Sequence, residues 1–499
     1  RVSERKESRT GAAVARAEAR RVPRCSRPFS TLGPKMRVLL LFVGFFTLAL
    51  ADDSTAVEVA SSNGTAGKTT QYRLPGDLVP DLYFLEIKTF LDEFIFEGNV
   101  RVRLLCYNDT SSVVLHSSGL NITEDKVRLM ADNVSLVINE HAYETDTNFY
   151  IIRLAEPLKA GATYMLEIPY KAQLAASLSG YYRSSYKDKT TGTTKWMATT
   201  QFEPIDARRA FPCFDEPAMK ARFQVSLIRQ NKYRSISNMP LKTSEALEDG
   251  WTRDVFAESV PMSTYLVAFV VSELASLEST SGRVHFRVWA RPDAINQASY
   301  ALDIAPQILS FFEKYFDVEY ALPKVDMVAV PDFSSGAMEN WGLVTYRETA
   351  MLYDEQASPA SGKEYVARVI AHELAHQWFG NLVTMRWWDD LWLNEGFATY
   401  VAALGVSNVE PQWGTLDDHV TEAMLVVFSL DSLESSHPVS AKIKHPSEIS
   451  QIFDSISYSK EEDGHDDIWA WTRVTAEGSD DVPQEEGQPT QEECSHDYS

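Results

Sequence analysis

The sequence predicts a multidomain chain: an all-β N-terminal domain, built as a saddle-shaped sheet or sandwich, followed by an α+β domain. Three observations predict this. Short runs of alternating hydrophobicity, among them Tyr83–Ile87, Asn99–Leu105, Ser112–His116 and Phe223–Ile228, recur between polar or Gly/Pro turns over residues 72–274, and a period of two marks half-buried strands. Beyond them, strand-like Val284–Ala290 leads into a helical stretch from Gln297 to Phe316 and then strand-like Val325–Val330, the order of an α+β unit. Finally, Tyr365–Phe379 sets Val366, Val369, Ile370, Leu374 and Trp378 at helical spacing, with no Gly or Pro until Gly380.

Taken from the N-terminus, residue 1 is Arg and the first methionine is Met36. Met36-Arg37, the apolar run Val38–Leu50 and the small residues Ala49 and Ala51 have the charged start, short apolar core and cleavage context of a secretory signal peptide. We therefore assign 36–51 as signal peptide and 1–35 as an upstream segment foreign to the mature protein. The apolar run is shorter than the roughly 20 residues of a spanning helix. Residues 52–71, rich in Ser, Thr, Ala and Gly, read as a solvated linker. Sequons at Asn63, Asn108, Asn121 and Asn133 fit the same route, to the extracellular space or cell surface. The formal charge of -23 excludes a nucleic-acid partner. Cys213 reads as a buried thiol. Residues 275–460 form the α+β domain, and 461–499, crowded with acids, Gly, Gln and Pro, read as a disordered acidic tail.

The chemistry is concentrated in His372-Glu373-Leu374-Ala375-His376 and Glu395. Two histidines four apart on a helix share one face, so both imidazoles reach one metal ion while Glu373 faces a water on it. Glu395 supplies a third ligand from a second helix. Three protein ligands leave the fourth position of a zinc ion open, the pattern of a catalytic site. Two loops with carboxylates flank this motif. Gly336-Ala337-Met338-Glu339-Asn340 follows a predicted strand, and its small residues let the backbone run beside an extended ligand. Upstream lies Thr200-Gln201-Phe202-Glu203-Pro204.

Together these motifs resemble the zinc aminopeptidases of the aminopeptidase N family, gluzincins marked by G-A-M-E-N and by H-E-x-x-H followed by eighteen residues and Glu. The resemblance covers Tyr72 to Lys460. It implies a thermolysin-like catalytic domain over 275–460, one Zn2+ per chain held by His372, His376 and Glu395, and Glu373 as general base. Glu339 and Glu203 would bind the free amino terminus of a peptide substrate. Gln201, beside Glu203, would line the first side-chain pocket with Gly336, Ala337, Met338 and Asn340 around it, favouring a neutral or basic first residue. Tyr458 would stabilise the tetrahedral intermediate. Family members continue well beyond this tyrosine, so an incomplete catalytic domain is expected here. Membrane association would then need an uncleaved N-terminal segment or a C-terminal anchor, and nothing in the sequence sets an oligomeric state. The competing reading is an inactive, secreted, truncated form that acts as a binding or decoy glycoprotein.

Other conspicuous residues have plainer expectations. Trp387, Trp388 and Trp392 pack around the second helix, Asp389 and Asp390 cap it, and Asn394 or Thr399 supports the ligands. Asp215 and Glu216 pin a turn, while His419, His437 and His445 are ordinary surface or loop residues.

Overall fold

The alternating runs become long strands whose buried residues share one face. In Leu78–Phe90, for example, Tyr83, Leu85, Ile87 and Thr89 are buried while the residues between them are partly exposed. The computed structural model describes residues 72–460 apart from 280, 281, 420 and 422–424. The readings of 1–71 and 461–499 lie outside the described residues.

The β-rich region holds three sheets. The largest runs Leu241–Ala246, Trp251–Phe256, Arg222–Gln230, Leu78–Phe90, Ile95–Cys106, Thr163–Gln173, Arg128–Ala131 and Val134–Ser135, with Asn121–Ile122 paired to Thr163–Gln173. It is mixed, because Leu78–Phe90 pairs in parallel with Arg222–Gln230 and antiparallel with Ile95–Cys106. A three-stranded sheet joins Thr110–His116, Phe149–Leu158 and Ile138–Glu144. The third, ordered Gly180–Lys187, Thr194–Gln201, Phe269–Ser272 and Arg234–Ser237, matters most for function, since one of its strands ends at Gln201.

The following region contains a five-stranded sheet ordered Ala275–Ser279, His285–Ala290, Lys324–Val330, Leu343–Arg347 and Ala337–Met338. Its centre is parallel, and every residue of Lys324–Val330 is buried, as expected of a strand covered on both faces. Its last strand, Ala337–Met338, turns back antiparallel to Leu343–Arg347. Three helices accompany it: α1 (Ser299–Phe316), α2 (Ala360–Ala375) and α3 (Trp392–Val409). α1 buries Ile304, Ile308, Phe312 and Phe316, and the last two rings meet Trp378 at 6.0 and 5.3 Å. Among the described residues no helix is long and apolar enough to cross a membrane.

Several local expectations change. The helix read over Tyr365–Phe379 occupies Ala360–Ala375 instead, and His376 is its C-cap. The chain leaves the helix there because a tight turn follows, ending at Gly380 with φ +114. Asp389 and Asp390 do not cap α3. They accept from the Ile443 N–H (2.6 Å) and the Ser440 hydroxyl (2.8 Å), and so fasten the segment around residues 440–443. Trp388 is fully buried, whereas Trp387 stacks beneath the Arg73 guanidinium at 3.9 Å. Asp215 and Glu216 do pin the chain: Asp215 accepts from Arg208 and Thr264, and Glu216 from Arg73 and the Leu74 N–H. Cys213 is a buried free thiol, as is Cys106.

Candidate active site

Helical spacing puts His372 and His376 one turn apart at the end of α2, and Glu395 lies in the first turn of α3. A helix N-terminus favours a carboxylate there. The Nε2 atoms of the two histidines are 2.9 Å apart, and a Glu395 carboxylate oxygen lies 3.2 Å from one and 3.3 Å from the other. Three lone-pair donors thus converge on one point. Two ligands at about 2.0–2.1 Å from a tetrahedral zinc ion would lie about 3.3 Å apart, so the donor set and its spacing fit that ion. Second contacts orient the rings. His376 Nδ1 lies 2.9 Å from the Phe379 carbonyl, to which it donates, and His372 Nδ1 is 3.4 Å from the Thr399 hydroxyl. Asn394 instead donates to the Tyr265 hydroxyl at 3.2 Å.

The remaining predicted residues gather around this point. Glu373 is buried, with one carboxylate oxygen that makes no hydrogen bond; Glu339 and Glu203 each bury an oxygen without a hydrogen bond as well. Glu339 Oε1 stands 3.9 Å from His376 Nδ1. Gln201 donates to the Met338 sulfur at 3.4 Å, and its own carbonyl oxygen is buried without a partner. The Tyr458 ring stacks on His372, with centroids 5.9 Å apart and planes 16° from parallel. Gly336 and Ala337 are half-buried at the sheet edge, and Asn340 is turned inward, donating to the Thr345 hydroxyl at 3.1 Å.

Crowding four carboxylates into one buried volume perturbs each of them. Burial, then the Glu339 charge, lifts Glu203 well above the usual carboxylate range. Burial does the same to Glu373, against the pull of His376 and with the push of Glu339 and Glu395. Glu339 is raised too, by burial first. Burial also pushes Glu395 up, but the His376 charge and the hydrogen bonds from both imidazoles outweigh it and hold its carboxyl at about 2. Burial lowers His376, yet Glu339 and Glu395 overcome that and raise it well above its ordinary value; burial and the His376 charge lower His372. Burial and the surrounding carboxylates keep the Tyr458 phenol protonated, a donor. The volume therefore holds carboxyl groups that lack hydrogen-bond donors, and a cation placed among them would favour their charged form.

Comparison with known proteins shows the family of the chain. A model of the peptidase M1 N-terminal domain matches residues 79–266, and one of the peptidase family M1 domain matches residues 300–466. The chain belongs to peptidase family M1. Relatives of this M1 chain include aminopeptidase N of Bos taurus, 45% identical over 409 residues that make up 78% of this chain and 42% of the relative. Aminopeptidase Ey of Gallus gallus is 46% identical over 408 residues, with the same shares of 78% and 42%. Endoplasmic reticulum aminopeptidase 1 of Mus musculus is 41% identical over 429 residues, 85% of this chain and 46% of the relative. The M1 chain thus spans less than half the length of these relatives.

Some residues of the M1 site were not singled out from sequence. Gln377 and Asn381 both donate to the Glu339 carbonyl, at 3.3 and 2.8 Å. The Tyr265 hydroxyl, from the β-rich region, donates to the Gly380 carbonyl at 3.1 Å, and burial followed by the charges of Glu339 and Glu203 raises its pKa far above normal. Tyr346 buries an unpartnered hydroxyl near the Glu373 charge. For Gln377 and Asn381 a signal existed, as they are amides within the otherwise apolar text after His376. For the tyrosines there was none, because only the fold brings them in.

Proposed function

We propose that this M1 chain is a zinc-dependent aminopeptidase that hydrolyses the N-terminal residue from peptides, with His372, His376 and Glu395 holding the ion. The observation that carries the reading is the convergence of those three donors beside a buried Glu373 with a carboxylate oxygen that makes no hydrogen bond. When bound, zinc supplies a Lewis acid that polarises the scissile carbonyl and lowers the pKa of water to about 7. Glu373 takes the proton from the attacking water and later delivers it to the leaving amine. The Tyr458 hydroxyl donates to the oxyanion that develops on the carbonyl oxygen.

Restriction to chain ends comes from Glu203 and Glu339. A protonated α-amine satisfies their buried oxygens with charge-assisted hydrogen bonds. An internal peptide bond brings no such cation and leaves the carboxylates desolvated and unpaired, at a cost. Gln201 and Met338 line the first side-chain pocket and present no cation to it, which suits a neutral or basic first residue. We further propose domain limits of 72–274 and 275–460 and passage through the secretory pathway, for which the exposed sequons Asn108, Asn121 and Asn133 provide accessible acceptors. The second reading, a glycoprotein that binds without cleaving, would use the β-rich region that carries those sequons.

The test is to purify the full chain, measure bound zinc, and assay an aminoacyl amide beside Glu373→Gln. Zinc retained in both, with turnover lost in the variant, is the expected result. Folded wild-type chain that holds zinc and shows no Glu373-dependent turnover would overturn the enzyme reading in favour of the binder.

A further inference from the structure

The stretch from Gly336 to Gly342 is fixed in place carbonyl by carbonyl. Arg347 N–H donates to the Gly336 carbonyl (2.9 Å), Ala337 and Met338 pair with Tyr346 and Thr345, and Leu343 N–H donates to Asn340 (3.0 Å). Asn238 holds the Trp341 carbonyl at 2.9 Å, and Lys324 with the Asp326 N–H holds Gly342 at 2.7 and 2.9 Å. The Glu339 carbonyl stands apart from these. Its partners are two side chains from the turn that ends the metal helix, Asn381 Nδ2 at 2.8 Å and Gln377 Nε2 at 3.3 Å. All three residues are buried. Gln377 is anchored in turn, since the same amide nitrogen donates to the Glu373 carbonyl at 2.8 Å. Asn381 is anchored from the other side: its own carbonyl accepts from Lys220 Nζ at 3.1 Å, which also donates to Leu382 at 3.1 Å.

We propose that Asn381 and Gln377 are positioning residues for recognition of the substrate's free amine, acting through the Glu339 main chain. This rests on the reading of Glu339 as an amine-binding carboxylate. The two amides tie Glu339, just past the edge strand, to the end of the helix that carries Glu373, and so help to set the distance between amine subsite and reacting carbonyl. Lys220 extends the same tie to the β-rich region that carries Glu203. A carboxylate must be held to within about half an ångström for a charge-assisted bond to keep its strength. Releasing the Asn381 contact therefore weakens the grip on the amine without touching metal or base, whereas Gln377 also holds the Glu373 carbonyl.

The experiment is a double-mutant cycle in the full chain. Asn381→Leu, nearly isosteric and uncharged but lacking the donor, is combined with Glu339→Gln, and Gln377→Met, which also frees the Glu373 carbonyl and is therefore read by KM and the L-leucine Kd alone, probes the second contact should Asn381→Leu fail to fold. Measured for each are KM and kcat for leucine amide, the Kd of L-leucine by calorimetry, the Kd of N-acetyl-leucine, and zinc content. Loss of one such hydrogen bond is expected to raise KM and the L-leucine Kd about tenfold. N-acetyl-leucine binding, kcat and zinc content should be little changed, and the Asn381 effect should shrink to less than twofold in the Glu339→Gln background. An equal effect in both backgrounds, or a loss confined to kcat and zinc, overturns the proposal. If Glu339→Gln alone leaves L-leucine binding unchanged, the amine-binding reading itself fails, and the positioning role falls with it.

Discussion

Replacing Gly342 by Ala should destabilise the chain severely, whereas the same change at Gly336 should not. Gly342 has φ +82, and a Cβ there would stand 2.5 Å from the Asn238 carbonyl oxygen and 2.9 Å from Leu322. Ordinary contact begins at 3.4 Å, so the backbone would have to retreat by about 0.9 Å against a main-chain atom. The left-handed conformation costs a Cβ-bearing residue about 1–2 kcal/mol. The retreat also strains three buried hydrogen bonds, from Asn238 to Trp341 and from Lys324 and Asp326 to Gly342, each contributing about 1 kcal/mol. A loss of about 3–5 kcal/mol follows, at the upper end for single substitutions. A Cβ on Gly336 meets only the Tyr365 hydroxyl, at 3.4 Å, so that variant should stay within about 0.5 kcal/mol of wild type. Urea unfolding followed by tryptophan fluorescence measures both. A Gly342→Ala variant within about 1 kcal/mol of wild type, or a Gly336→Ala variant equally destabilised, would refute the reasoning.

Three further outcomes are expected. Tyr458→Phe keeps the ring on His372 but removes the donor, so kcat should fall by about 10²–10³ with KM nearly constant; a change confined to KM would make the hydroxyl a binding group only. Glu339→Gln should narrow the preference for a free-amine substrate over its N-acetylated form by about 10–100-fold, and a parallel loss on both substrates would contradict amine recognition. Desolvation lowers Lys220 from 10.5 to about 8. Below pH 8 both folded and unfolded chains carry its proton and the burial penalty is fully present; between 8 and 10.5 the unfolded chain binds more protons, so stability rises with pH. Urea titrations of wild type and Lys220→Met should diverge in that window, and parallel curves would show that the amine is not desolvated.

Residues whose role lies in local spacing were legible from the sequence alone. The alternation in Leu78–Phe90, the helical stripe containing Ile370 and Leu374, and the i, i+4 histidines each announce their geometry within a few positions. What long-range packing decides was not legible. The parallel pairing of Leu78–Phe90 with Arg222–Gln230 joins segments more than a hundred residues apart, and no local pattern encodes that register. The end of α2 was misplaced because apolar Trp378 and Phe379 continue the helical stripe, while the turn through Gly380 draws them into the core beside α1. Asp389 and Asp390 had the composition of a helix cap, yet a segment some fifty residues away claims their oxygens. Asn381 stood out as an amide in apolar text, but its role was not legible for the same reason, as its partner lies forty-two positions upstream.

Ala337–Met338 is the outermost strand of its sheet, and Glu339 follows it directly. A peptide laid along that rim would adopt an extended form whose repeat is about 3.3 Å per residue. Its first nitrogen would be stopped at Glu339 and Glu203. The rim would then work as a ruler with a fixed zero, the blocked end, so that each cut exposes a new end that slides up to the same mark. Stepwise shortening, one residue at a time, would thus be a consequence of where a sheet happens to stop.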